Sequence, residues 1–380
     1  MDRRRRIGAA LAVAAALPAG PIAEACAILT LKDDTTVLMG NNEDWTEPGV
    51  IWFVPGKPGR FGRVNVGFRD DFAQGGMNEQ GLAFDAAVVA QVPWEPDPAR
   101  PTPQNLIEKI MNECATVEQA LAYFEAHNCP HLSRSQFLFA DATGDSAVVA
   151  WLPDSGLSVA RIGEADHLLA TNTRLRPSGY RCQRFARAEQ VLATRRDVSL
   201  QTVAAVLESI HQRGPGAFTS YSTVYDLRAR RVYVYNLANF DEVVRFDLPH
   251  ELARKRKTRR MAELFENGPD LSELRREPQR SQYGTAVTLA AEVLERYAGI
   301  YSPTAAPEIR LRVLRDGDAL LVQNPGQPDA RLVPESGVSF RIAPDRGTVT
   351  FAVAPDGTVE GLTLHKQIDA FARRVAAIEP

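Results

Sequence analysis

No stretch beyond residue 25 is apolar enough for long enough to cross a membrane as a helix, so the body of the chain carries no integral membrane segment. Basic residues are not in excess. A net charge of -3 gives no electrostatic footprint for nucleic acid, which is therefore not expected as a partner. With 26 glycines and 25 prolines in 380 residues, the chain is not biased towards disorder. Neither a glycine-rich phosphate loop nor a His-Glu-x-x-His zinc motif occurs, and no cofactor is expected. His127, Cys129 and His131 alternate as metal ligands can, but they flank Pro130 as a loop does, and no metal site is assigned to them. What is present is ordinary for a globular chain of two or three domains: 44% hydrophobic and 24% charged residues.

The first 25 residues differ from the rest. Arg3 to Arg6 form a basic stretch, Ile7 to Leu17 is almost entirely Ala, Leu, Val and Gly, and Ala23-Glu24-Ala25 offers small residues at a signal-peptidase site. This layout predicts a cleaved leader (1–25) and an exported protein, periplasmic or secreted. The arginine run would also suit twin-arginine export, although the residues after it do not complete that pattern. Cleavage after Ala25 makes Cys26 the first residue of the mature chain. Lipid attachment also uses a cysteine at this place, but Glu24 and Ala23 fit a lipobox poorly, and lipidation would consume the thiol.

After Cys26 the pattern is one of short strands. Ala27–Leu31 and Thr36–Met39 flank Lys32-Asp33-Asp34 as a hairpin, and Gly81–Val89 is a further strand. Helices are expected after Pro103 and from the Thr116/Gln119 capping box. Four strands follow between Phe137 and Thr171, then helices over 181–194 and 199–212, then a hairpin of Ser222–Leu227 with Val232–Tyr235 and a strand at Val243–Phe246. Strands, helices and strands again predict antiparallel sheets with helices packed outside. Residues 251–286 are crowded with charge and read as a solvated helix and linker, and 287–380 as a separate all-β module, a small barrel or curled sheet.

An N-terminal cysteine supplies nucleophile and base together. Its α-amine titrates at about 7.7–8.0, close to the thiol's roughly 8.5, so the amine can take the thiol proton near neutral pH. Asp44, on the strand beside Cys26, is the carboxylate expected to hold that amine. With Cys26 reserved for chemistry, three cysteines are left, so at least one of Cys114, Cys129 and Cys182 is unpaired within a monomer. Their spacing does not say which.

Cys26 with two short strands and Gly40-Asn41-Asn42-Glu43-Asp44-Trp45 resembles the choloylglycine hydrolase and penicillin V acylase family. Gly76-Met77-Asn78-Glu79-Gln80-Gly81-Leu82, Ala170-Thr171-Asn172-Thr173, Gln183-Arg184-Phe185-Ala186-Arg187 and Tyr221-Ser222-Thr223-Val224-Tyr225-Asp226 resemble further segments of that family, in its order. The resemblance spans about residues 26 to 250. It implies an α+β fold: a four-layer αββα N-terminal-nucleophile sandwich (26–250), followed here by a charged linker and a small all-β C-terminal domain. It implies cleavage of a linear C–N amide bond in a small N-acyl substrate through an acyl-cysteine. Cys26 would be the nucleophile, Asp44 would orient its amine and thiol, Asn172 would donate to the oxyanion, and Arg184 would polarise the thiolate. Two positions depart from the pattern. Asn41 stands where the family usually has arginine, and the second oxyanion donor falls at Val88, which has only a backbone N–H to give. Both are taken as substrate-binding positions.

Trp45, Trp52, Phe53 and Phe72 are candidates for an acyl pocket or for the core. The tail, with Tyr297-Ala298-Gly299-Ile300-Tyr301, loosely resembles small β domains behind serine β-lactamase-like enzymes. An acyltransferase of the same fold and a non-catalytic exported lipoprotein or binding protein are the rival readings. The sequence leaves open whether the chain is a monomer or a homo-oligomer.

Overall fold

The computed structural model describes residues 26–70, 72–89, 91–175, 182–212, 218–266, 287–304, 307–325, 329–334, 337–343, 348–354, 357–365 and 370–377. The expected leader and the charged residues 267–286 lie outside them. The fold is mixed, with two sheets, a barrel and few helices.

The first hairpin is made of β1 (Ala27–Lys32) and β2 (Val37–Trp45). Its turn is fixed by Asp33, whose Oδ1 accepts the backbone N–H of Thr35 at 2.8 Å and of Thr36 at 2.7 Å. This hairpin lies within a six-stranded antiparallel sheet. On one side β1 pairs with β10 (His167–Thr171). On the other, β2 pairs with β11 (Phe218–Asp226), followed by β12 (Arg231–Asn236) and β13 (Asn239–Asp247).

The second sheet has eight strands. It begins with three that short, polar or glycine-rich sequence conceals: β3 (Val50–Val54), β4 (Arg63–Gly67) and β5 (Gly75–Asn78). In β4 all five residues are buried, and Arg63 is carried inside by Asn112 and Glu108, its Nη2 lying 2.8 Å from Glu108. The sheet continues through β6 (Ala83–Val88), β7 (Ser135–Ala140), β8 (Ser146–Leu152) and β9 (Gly156–Arg161).

Side chains from both sheets meet in one core that holds Cys26, Ile28, Met39, Ile51, Phe53, Met77 and Tyr221. The outer face of the eight-stranded sheet packs on α1 (Leu106–Glu113) and α2 (Val117–Ala126), started by Asn105 and Thr116 as side-chain caps. The outer face of the six-stranded sheet packs on α3 (Gln183–Ala193) and α4 (Leu200–Ser209). Gly40 lets α4 approach: a Cβ there would lie 2.6 Å from Val203 Cγ1.

The charged stretch after Glu251 departs from the expected solvated helix and linker. Helix α5 (Leu248–Leu252) leads into β14 (Lys257–Arg260), which pairs antiparallel with β3 as the sheet's edge strand. Charged side chains suit an edge, where they project into water and discourage further pairing. Met261 follows, fully buried in the inter-sheet core.

Beyond α6 (Ala291–Tyr297), eight antiparallel strands form a closed barrel: β15 (Gly299–Pro303), β16 (Leu311–Asp316), β17 (Ala319–Gln323), β18 (Ala330–Pro334), β19 (Ser339–Ala343), β20 (Thr348–Val353), β21 (Val359–His365) and β22 (Ala370–Ala376). Closure of β15 on β22 leaves no free edge. Its core is aromatic, with Phe351 stacked on Tyr297 at 4.3 Å and edge-on to Phe340 at 5.3 Å between ring centroids.

Candidate active site

Cys26 stands at the head of β1, beside β2, with 1% of its surface exposed. Residues in a strand alternate between faces. Ala27, Leu29 and Leu31 therefore pack towards α3 and α4, while Cys26 and Ile28 point into the seam between the sheets. On β2 the same alternation sends Val37 and Met39 into the seam and Leu38 outward. Glu43 shares the phase of Met39. Cys26 Sγ donates to Glu43 Oε1 at 3.3 Å.

Asp44 consequently lies on the opposite side of the sheet from the thiol. Its carboxylate is fully buried and accepts from Gln212 Nε2 at 2.8 Å, Thr219 Oγ1 at 2.5 Å and Arg184 Nη1 at 3.3 Å. Burial raises its pKa to about 6, opposed by the Arg184 guanidinium and by the hydrogen bonds from Thr219 and Gln212.

Arg184, in the first turn of α3, gathers the predicted residues. Beyond Asp44, Nη1 donates to the Cys26 carbonyl at 3.2 Å and Nη2 to Asn172 Oδ1 at 2.7 Å. Its contact with Cys26 is thus to the backbone oxygen. Asn172 follows β10 and is half-buried; its Nδ2 donates to the Val88 carbonyl at 2.8 Å, across from one sheet to the other. Among the described residues one of the two amide hydrogens of Asn172 is used, in this bond, and the other can meet a further acceptor. Gln136 holds the same crossing: it donates to the Thr171 carbonyl at 2.6 Å and accepts from Leu175 N at 2.9 Å.

Asn41 is fully buried in the seam. Its Nδ2 donates to Glu43 Oε2 at 3.4 Å and its Oδ1 accepts from Thr223 Oγ1. It thus positions Glu43 rather than facing open space. Opposite, from β6, comes Asp85. It is 0% exposed, and neither carboxylate oxygen has a hydrogen-bond partner among the described residues. Gly75 makes room for it, since a Cβ there would lie 2.1 Å from Asp85 Oδ2. Burial and the Glu43 carboxylate push Asp85 well above the usual carboxylate range. Burial, followed by Glu43, Asp85 and Asp44, likewise pushes the Cys26 thiol up. Tyr221 and Tyr225 complete the surroundings from β11, both fully buried.

The structure therefore brings Cys26, Asp44, Asn172, Arg184 and Val88 into one connected network, and adds Glu43, Asp85, Gln212, Thr219 and Gln136. Of these only Glu43 lay inside a motif already singled out, where strand alternation was the available signal. Trp52 and Phe53 are core residues, Trp45 is half-buried at 6.0 Å from the Phe68 ring, and Phe72 is 45% exposed. All four cysteines are unbridged. His127 closes α2 through the Tyr123 carbonyl at 3.0 Å, and Cys129 is buried. Among the described residues no group of three or more His, Cys, Asp or Glu side chains is arranged to hold a metal, and no helix is long and apolar enough to cross a membrane.

Residues 73–193, which contain Asp85, Val88, Asn172 and Arg184, match the family model described as acyl-coenzyme A:6-aminopenicillanic acid acyl-transferase. Over those residues the chain is similar to that family, in line with the resemblance carried by its motifs. The family match begins after the Cys26–Asp44 hairpin. In three dimensions the chain is similar to a mutant of conjugated bile acid hydrolase from Clostridium perfringens, at 17% identity and a TM-score of 0.51, covering 62% of this chain and 96% of that one. It is also similar to penicillin V acylase from Agrobacterium tumefaciens, at 18% identity and a TM-score of 0.48, covering 61% and 90%. At 17% identity the likeness to the bile acid hydrolase is one of fold. No curated protein matches the chain.

Proposed function

We propose that the protein is an exported linear amide hydrolase, in which Cys26, freed as the first residue by removal of the leader, attacks the carbonyl of an N-acyl substrate. The two sheets with helices on their outer faces are then the αββα sandwich of an N-terminal-nucleophile hydrolase, and the barrel is an accessory domain. The observation that carries this reading is the Arg184 guanidinium, which links the Cys26 carbonyl, Asp44 and Asn172 at 3.2, 3.3 and 2.7 Å. Such a network fixes the start of β1 and the amide of Asn172 relative to each other, as acyl transfer requires of its nucleophile and oxyanion donor.

In this reading Sγ forms a thioester with the acyl group, and the amine departs. The second amide hydrogen of Asn172 stabilises the tetrahedral oxyanion, a contribution of about 3–4 kcal/mol where comparable donors have been removed. Water then releases the acid. Candidate substrates are N-acyl amides: bile-salt conjugates, penicillin V, acylated amino acids and acyl-homoserine lactones. The test is the intact mass of the exported protein with and without iodoacetamide, together with the Cys26→Ala variant. A chain starting at an unmodified, alkylatable Cys26, and loss of hydrolysis in the variant, are expected. A different start, lipid on Cys26, or an active Cys26→Ala protein would end the proposal.

The matched family model is described as an acyl-transferase, which favours a second reading in which an amine replaces water. Hydrolysis of a scissile amide in the presence of a competing free amine separates the two: the transferase partitions its product to the new amide.

A further inference from the structure

Cations from two distant parts of the chain gather around one edge of the eight-stranded sheet. Arg254-Lys255-Arg256 leaves α5 and runs directly into the edge strand β14, which adds Lys257, Arg259 and Arg260. All of these except Arg259 are exposed. Lys57 and Arg60 close the turn between β3 and β4, and they line a cleft with Leu252 and Ala253, where the basic run starts. Burial lowers the Arg63 pKa, and Arg256 and Arg60 lower it further, so the two groups of cations lie within electrostatic reach of one side chain.

Carboxylates answer only part of this charge. Glu251 lies 3.6 Å from Arg254 and 3.7 Å from Arg259, Asp70 lies 3.4 Å from Arg256, and Glu79 lines the cleft with Lys57 and Arg60. Lys255, Lys257 and Arg260 have no carboxylate partner among the described residues. Keeping an edge strand from pairing accounts for charge on Lys257 and Arg260. It accounts neither for Arg254 to Arg256, which precede the strand, nor for their convergence with Lys57 and Arg60. The chain as a whole carries a net charge of -3, so this basic surface is local.

The loop that meets Arg256 adds a large apolar group. The Asp70 carbonyl accepts from Arg256 at 2.9 Å and its carboxylate accepts from Thr258 Oγ1 at 3.0 Å. Two residues further on, Phe72 is 45% exposed. A soluble polyanion would use the cations alone and offer an exposed ring nothing to enter. A bilayer of anionic lipid takes the cations at its headgroups and the ring at the acyl boundary. We propose that the Lys57/Arg60 turn, the basic run 254–260 and Phe72 form a docking surface for an anionic lipid bilayer. Phe68 of the same loop packs on Tyr221 at 5.8 Å between ring centroids, against the core that holds Cys26, so the docked loop also reaches the candidate site. The proposal does not depend on the chemistry assigned to Cys26.

The exported protein is sedimented with vesicles of phosphatidylcholine and of its equal mixture with phosphatidylglycerol. Salt is set at about 0.1 M and about 1 M, where the Debye length falls from about 10 to about 3 Å. Binding to the mixed vesicles alone, and its loss at the higher salt, are expected. The triple variant Lys255→Gln, Lys257→Gln, Arg260→Gln should bind roughly 100-fold more weakly, about fivefold for each cation withdrawn from an anionic surface. Phe72→Ser should bind about fivefold more weakly. The charge-keeping variant Lys255→Arg, Lys257→Arg, Arg260→Lys should bind as the wild type does. Urea unfolding checks each variant. If the triple variant does not fold, Lys57→Gln with Lys255→Gln, both outside the sheet's strands, replaces it, and a loss of about 25-fold is expected. Equal binding to both vesicles, binding that salt or the glutamine variants leave unchanged, or no binding overturns the proposal. Capture by heparin without capture by vesicles, or vesicle binding that Phe72→Ser leaves at the wild-type level, would make this a surface for a soluble polyanion and overturn it as well.

Discussion

Removing Arg184 should destabilise the protein in a pH-dependent manner. Asp44 and Arg184 lie 3.3 Å apart, with side-chain exposures of 0% and 11%. At pH 8 Asp44, with a pKa of about 6, is ionised and has Arg184 as its cation. Arg184→Met would leave that charge without its cation, and Asp44 would take up a proton instead, so the ion-pair part of the loss at pH 8 is limited by the two pH units above its pKa to about 2.7 kcal/mol. The sign follows from the direction of the shift. A carboxyl raised above its unfolded pKa contributes most below the unfolded value, and that contribution declines as pH rises towards the folded pKa. At pH 5 Asp44 is already mostly neutral in the wild type, so the ion-pair part of the loss disappears. What is left are the hydrogen bonds to the Cys26 carbonyl and Asn172, about 0.5–1.5 kcal/mol each. Urea unfolding of the wild type, Arg184→Met, Asp44→Asn and the double variant at pH 5 and pH 8 measures this. The double variant should recover much of the pH 8 loss. An equal cost at both pH values, or no recovery, would refute the reasoning.

Asp85→Asn imitates a carboxyl that burial holds neutral. The raised pKa means that the wild type loses stability relative to this variant as pH rises above the ordinary carboxylate range, by up to about 1.4 kcal/mol per pH unit until Asp85 ionises; denaturation at several pH values would show a widening gap, and a constant gap would count against it. Phe351→Ala in the barrel removes a 2% exposed ring packed on Tyr297, Tyr301 and Phe340, at a cost of about 3–5 kcal/mol. Unfolding should register that loss while the rate of Cys26 alkylation stays at the wild-type value.

Much of this site can be read from the chain alone. The hairpin after Cys26, the turn at Asp33, the capped starts of α1 and α2, and the strands from Phe137 to Thr171 follow from local chemistry: hydrophobic period, cap residues and turn formers act over a few residues. The ordered motifs implied a joint site for Cys26, Asn172 and Arg184; in the fold Arg184 bonds to the Cys26 carbonyl and to Asn172. The edge strand Lys257–Arg260 was not legible, because its charges show no two-residue period and its partner strand, Val50–Val54, lies far earlier in the chain. β4 and β5 were hidden by buried polar residues and glycines that only neighbours across the sheet explain, and β3 by its five-residue length.

The sequence by itself determined that consecutive residues Glu43 and Asp44 point to opposite faces of a strand, since that is a property of the extended backbone. It could not say which face meets the thiol. That choice depends on the phase of β1 against β2 and on which face the second sheet covers. Tertiary packing turned Glu43 towards Cys26, brought Asp85 to the same seam from the other sheet, and left Asp44 with Arg184 under the helices, because pairwise register and sheet-on-sheet contact are decided by residues far apart in the chain.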